Sequence, residues 1–236
     1  MKADHGGNMT QAEDILQRIW PGEAGQRAYA ILLEWCRDLD HRDSYSGQHA
    51  TLSTEYGLML ARRLRLNANA VAGLWVAGHV YDLGKIAVPE EVLRRNGPLS
   101  SAEMVMMRTH VTSGYGLLKD WPVLRSSPRW LSRFVLEVVL HHHERWDGNG
   151  YPKGLMGEDI PVGARITSIT DAFSAMILDS PYRQARAFDS AVREVEAHAG
   201  TQFDPYIVPR FAALVRVIGR EAPGWRELVG GKSLAA

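Results

Sequence analysis

Three consecutive histidines, His141, His142 and His143, followed at once by Glu144, are the densest chemistry in the chain. Each imidazole carries a polar nitrogen that burial leaves in need of a partner. The run therefore reads either as a solvated helix end or as part of a metal site, since neutral imidazole is the commonest transition-ion ligand and carboxylates add oxygens. Successive helix residues point about 100° apart, so two neighbours converge on one ion only where the helix ends. The string Asp147-Gly148-Asn149-Gly150-Tyr151-Pro152 supplies that ending. Its glycines permit positive φ and close backbone approach, and Pro152 is expected to hold Tyr151 extended. Alone, it is a turn. A second cluster, Tyr81-Asp82-Leu83-Gly84-Lys85, closes an apolar stretch. An aspartate near a helix C-terminus opposes the dipole, so either Lys85 or a bound cation has to compensate Asp82.

The elements that must position these groups all carry the helical period. Thr10-Gln11-Ala12-Glu13 has capping-box spacing ahead of Ile15, Leu16 and Ile19, and Pro21-Gly22 stops that helix. A second leading stretch, about 24–40, puts Tyr29, Leu32, Leu33 and Cys36 on one face. The stretch 49–66 carries Leu52, Tyr56, Met59, Leu60 and Leu64, and Asn67 caps the next helix through Val71, Leu74, Trp75 and Ala77. Ser100-Ser101-Ala102-Glu103 is a second capping box, ahead of Met104, Met107, Val111 and Leu117. The stretches 130–144 and 161–178 flank the glycine-rich loop, and Asp204-Pro205 is read as the start of a last helix. No sustained period-two alternation occurs, which predicts an all-α fold. One helical domain over 44–219 accounts for the pattern, with a tail and two leading helices over 1–43 and a second tail over 220–236. The leading helices serve either as a dimer interface or as a cap on the bundle.

Composition narrows the function classes. In 236 residues, 45% hydrophobic and 23% charged, 27 basic side chains balance 27 acidic ones. That hydrophobic fraction excludes intrinsic disorder. Zero formal charge removes the footprint of a duplex-nucleic-acid binder or a polybasic membrane-surface protein. No apolar run approaches the roughly 20 residues that span a bilayer, and Met1–Asn8 reads as a tail without a signal peptide's apolar segment. The lone Cys36 fits a reducing compartment and most simply a core position. A cytoplasmic protein is expected.

Taken in order, His49, YDLGK at 81–85, His110, HHERWDGNGYP at 142–152 and Asp171 resemble the HD-GYP subgroup of the HD superfamily. KIAVPEEVL from Lys85, GPLSSAE before His110 and RITSITDAF around Asp171 fit as well, so the resemblance covers about residues 44–218. It implies an HD-superfamily helical bundle that hydrolyses cyclic di-GMP or a related cyclic dinucleotide at a centre of two or three metals. Position by position, it implies one ion held by Asp82, His110, His142 and His143. A second ion would share Asp82 and be held by His49 and Asp171. Iron, manganese, nickel and zinc all suit such ligands. Lys85 would stand by Asp82 as proton donor or charge stabiliser for the leaving group. Lys85 and Arg183 would contact phosphate, and Gly150, Tyr151 and Pro152 would line the substrate side or dock a cyclic-di-GMP-synthesising domain.

The chain also departs from the pattern. Tyr81 stands where the family has its signature histidine, and a phenol with a pKa near 10 is a poor substitute at neutral pH. His79 lies elsewhere on the helix. Tyr45 replaces a carboxylate, which argues against a third metal. Ser174, Ser180 and Leu52 replace an aspartate and two arginines. The resemblance thus implies a phosphodiesterase with reduced activity, one ion held firmly and the second weakly. The alternative is a degenerate member acting as a cyclic di-GMP receptor or adaptor.

Overall fold

In the computed structural model, residues 46–95, 97–179 and 184–221 are described, together with scattered positions between 19 and 38. The stretch read from Leu52, Tyr56 and Leu60 forms α1 (Ser46–Arg63), with those three side chains in the core. Asn67 caps α2 (Ala68–Val80), its side chain accepting from the Ala70 N–H at 2.9 Å. α2 is apolar on nearly every face and lies enclosed against α1 and α7 (Arg129–His141). A 3-10 turn (Leu83–Ala87) and a short α3 (Glu90–Leu93) follow it.

The segment after Ser100 differs from a single amphipathic helix. It is broken at Thr109 into α4 (Ser101–Arg108), which starts with the expected capping box, and α5 (His110–Lys119). α4 buries no residue; Met104 is 39% exposed, and so is Leu117 on α5, at 48%. Met107 joins a separate small cluster with Val88, Val92, Leu93 and Leu99. The break has a use, because it turns the first residue of α5 inward.

After α6 (Pro122–Ser126) and α7 come α8 (Val162–Ile177), packed along α1, then α9 (Phe188–Ala197) and α10 (Val208–Glu221). Helix α9 was not anticipated, although Ala191, Val192 and Val195 form its buried face. Asp204 does not open α10. Its Oδ1 accepts the N–H groups of Tyr206 and Ile207 at 2.7 and 3.2 Å, capping a turn that precedes the helix. Among the described residues there is no strand, only an isolated bridge between Ala199 and Phe203. The fold is all-α.

The described leading residues Ile19, Trp20 and Ala28 belong to the same core as the bundle. Trp20 Nε1 donates to Ser127 Oγ at 2.7 Å, and Trp35 lies 5.0 Å from the Trp121 ring. These contacts fit a cap. The expected helix start at Thr10, along with Cys36, Tyr45, Ser180 and Arg183, lies outside the described residues.

Candidate metal centre

The site gathers one or two residues from each of five elements. α1 brings His49, the end of α2 brings Tyr81 and Asp82, and the start of α5 brings His110. The end of α7 brings His142 and His143, and α8 brings Asp171 and Ser174. Two glycines allow this convergence. A Cβ on Gly84 would fall 1.8 Å from the His110 carbonyl oxygen, so only glycine lets the turn after Asp82 sit on α5. A Cβ on Gly150 would fall 2.4 Å from the Arg145 nitrogen, so the loop folds back tightly on the end of α7. Gly148 supplies the positive φ, at 78°.

Asp82, His110, His142 and His143 place ligand atoms within 4.8 Å of one another, and so do His49, Asp82 and Asp171. Asp82 is 5% exposed. Burial alone would raise its carboxyl pKa, but Lys85, whose Nζ donates to Oδ2 at 2.7 Å, brings it down to about 2. Its other oxygen faces the imidazoles: Oδ1 lies 3.4 Å from His110 Nε2 and 3.8 Å from His142 Nε2.

The two imidazoles show what the site is built to accept. His110 Nδ1 is 2.7 Å from the Met107 carbonyl, and His142 Nδ1 is 3.2 and 3.1 Å from those of Val138 and Val139. A carbonyl only accepts, so both Nδ1 atoms carry protons and both Nε2 atoms of the neutral rings present lone pairs. Burial holds the rings neutral at pH 7: it lowers His110 to about 4, lowers His142 and puts His143 well below the usual histidine range. The Nε2 atoms of His110 and His142 nevertheless face each other at 3.5 Å, beside the carboxylate oxygen. Buried acceptors converging with no donor between them are costly by themselves and fit a divalent cation.

The second group is tied differently. Asp171 Oδ1 accepts from both His49 Nε2, at 2.8 Å, and the Tyr81 hydroxyl, at 2.9 Å. Burial pushes the Asp171 carboxyl up, and His49 more than offsets it, leaving the group well below the carboxylate range. Burial, then the charges of Asp171 and Asp82, raise the Tyr81 phenol well above its usual pKa. Tyr81 is therefore a neutral donor to Asp171. Ser174, read from sequence as a loss, has its hydroxyl 2.9 Å from His49 Nδ1 and 3.1 Å from the Asp171 carbonyl. It fixes the ring with its Nε2 toward Asp171. His79 bonds the Trp75 carbonyl at 2.7 Å and belongs to neither ligand group.

Beside His143 the loop forms a wall. Tyr151 stacks on His143, rings 4.9 Å apart and inclined 25°, and the Tyr151–Pro152 peptide is cis. Glu144, buried, accepts the N–H groups of Lys153 at 2.7 Å and Leu155 at 3.1 Å. It is the loop's clamp, a role not read from sequence. Trp146 packs against Arg165 and Tyr206, and Arg145 pairs with Asp147, partners outside both ligand groups.

Carboxylates and imidazoles brought together by separate helices form a cluster able to hold a metal ion, and the HD-domain family model matches residues 36–207. The chain belongs to the HD-domain family, and its GNGYP loop and ligand order set it in the HD-GYP subgroup. It is similar to the cyclic di-GMP phosphodiesterase response regulator RpfG of Xanthomonas campestris pv. campestris, 35% identical over 186 residues, covering 79% of this chain and 48% of that protein. It is similar to the 3'3'-cGAMP-specific phosphodiesterase 2 of Vibrio cholerae, 32% identical over 170 residues, covering 72% and 31%. Among solved structures, Bd1817, an HDG"Y"P protein from Bdellovibrio bacteriovorus, shares the fold with a TM-score of 0.56 at 18% identity, over 71% of this chain and 51% of that one. The chain spans half or less of the length of these curated relatives. Among the described residues no helix is long and apolar enough to cross a membrane.

Proposed function

We propose that this chain is a metal-dependent phosphodiesterase for cyclic di-GMP or a related cyclic dinucleotide, built on a domain spanning residues 44–219. The observation that carries the reading is the set of unprotonated Nε2 atoms of His110 and His142 converging with Asp82 Oδ1. Asp82, His110, His142 and His143 would hold one ion, and His49, Asp82 and Asp171 a second. Iron, manganese, nickel and zinc all match these donors. Bound metal would activate water for attack at phosphorus and neutralise charge on the phosphoryl oxygens.

The chain's own residues would do the rest. Lys85 fixes Asp82 through Oδ2 and keeps a cation beside the cluster, where it would stabilise or protonate the leaving oxygen. Ser174 orients His49 by accepting or donating at Nδ1. Glu144 holds the loop that presents Tyr151 to the site. Because Tyr81 supplies no ligand, the second ion would bind weakly and turnover would be slow at low metal. The receptor reading rests on this same tyrosine. The protein would work in the cytoplasm, with exposed Asn149 and Lys153 offering the loop to a cyclic-di-GMP-synthesising domain.

Metal-loaded protein incubated with cyclic di-GMP, with products separated by chromatography, should yield linear dinucleotide or GMP. Product no higher than from an Asp82→Ala control would overturn hydrolysis; retained binding without product would favour the receptor.

A further inference from the structure

The wall beside His143 ends in a cation that the ligand set does not use. Arg108, the last residue of α4, is exposed, and its guanidinium carbon lies over the Tyr151 ring, 5.0 Å from the centroid. Tyr151 also touches His143, stacked on it at 4.9 Å. Tyr151 thus joins an imidazole of the ligand cluster to an exposed guanidinium. Arg108 forms no ion pair among the described residues, unlike Arg145, Arg165 and Arg216. Its backbone is fixed too, because the adjacent Met107 carbonyl accepts from His110 Nδ1.

A guanidinium set over an aromatic ring keeps its N–H donors around its edge, free for a forked grip on phosphate oxygens. Arg108 belongs to neither ligand group, and the contact that places it beside the cluster runs through Tyr151. A cyclic dinucleotide carries a second phosphodiester on the opposite side of its ribose-phosphate ring. Resting on the phosphodiesterase reading, we infer that Arg108 grips the phosphate that is not being cleaved. It would be a specificity residue, favouring two-phosphate rings over simple phosphodiesters.

The test compares wild type with Arg108→Ala, both metal-loaded, on cyclic di-GMP and on bis(p-nitrophenyl) phosphate, which has one phosphorus. For cyclic di-GMP, KM and the calorimetric Kd should rise on the order of 10-fold, the worth of one charge-assisted contact, with kcat within about 2-fold. Turnover of the small diester should stay within about 2-fold, which a merely structural role would not allow. Equal cyclic di-GMP affinity in both proteins, or parallel losses on both substrates, would overturn the inference while leaving the phosphodiesterase reading intact. If wild type binds cyclic di-GMP without cleaving it, hydrolysis fails and the Kd ratio alone decides Arg108. If wild type neither binds nor cleaves it, both fall.

Discussion

The most consequential single residue is Tyr81. The residue is 1% exposed, and its hydroxyl spends its proton on the same Asp171 oxygen that His49 uses. On the proposed reading it therefore replaces a ligand with a donor that competes for Asp171. Tyr81→His exchanges the phenol for an imidazole next to Asp82, whose one nitrogen lone pair becomes available to the second group. Losing even a supporting partner costs about 10- to 100-fold in metal affinity, so restoring a ligand should tighten the second ion at least ~10-fold. Titration of chelator-treated protein should show stoichiometry rising toward two ions per chain. A small loss of stability, about 1–3 kcal/mol, is expected from the vacated volume. Unchanged stoichiometry would mean that His49, Asp82 and Asp171 do not form a metal site.

At the scale of elements, what sequence made legible were the local signals. Asn67, Ser100 with Glu103, and the apolar faces of α1, α2 and α7 each carry a helix start or a 3.6-residue period. The break at Thr109 was hidden because Met104, Met107, Val111 and Leu117 keep a helical spacing across it; only packing decides that the first two turn outward or to a side cluster. Ser174 was read as a loss because its value lies in a bond to His49 across 125 positions. Glu144 was legible as a carboxylate but not as a clamp, since its partners are backbone groups of the loop. Glu144→Gln keeps its shape, yet must point an NH2 at a backbone N–H where an oxygen accepted before. That mismatch should cost about 1.5–3 kcal/mol locally. Faster amide exchange at Lys153 and Leu155, with metal still bound by Asp82, His110, His142 and His143, is the expected result. Unaltered protection at those two amides would show that the loop holds its own shape without Glu144.

For the molecule as a whole, the proposed centre should cost stability without an ion and return stability when one binds. α1, α2, α5, α7 and α8 meet at Asp82, His49, His110, His142, His143 and Asp171, and folding holds acceptor against acceptor there. The unfolded chain has no such set of ligands at one point, so binding energy is folding energy. An ion present at 100 times its dissociation constant adds about 2.7 kcal/mol to the stability. In a chain of this size each kcal/mol moves the melting temperature by about 2–4 °C, so loading should raise it by about 5–10 °C. Differential scanning calorimetry of chelator-treated and reloaded protein measures this directly. Asp82→Ala should abolish the shift, because Asp82 belongs to both ligand groups. His79→Gln should preserve it, since His79 belongs to neither ligand group and its ring bonds the Trp75 carbonyl. A melting temperature that ignores added metal would mean the five helices pack around these groups for reasons other than an ion.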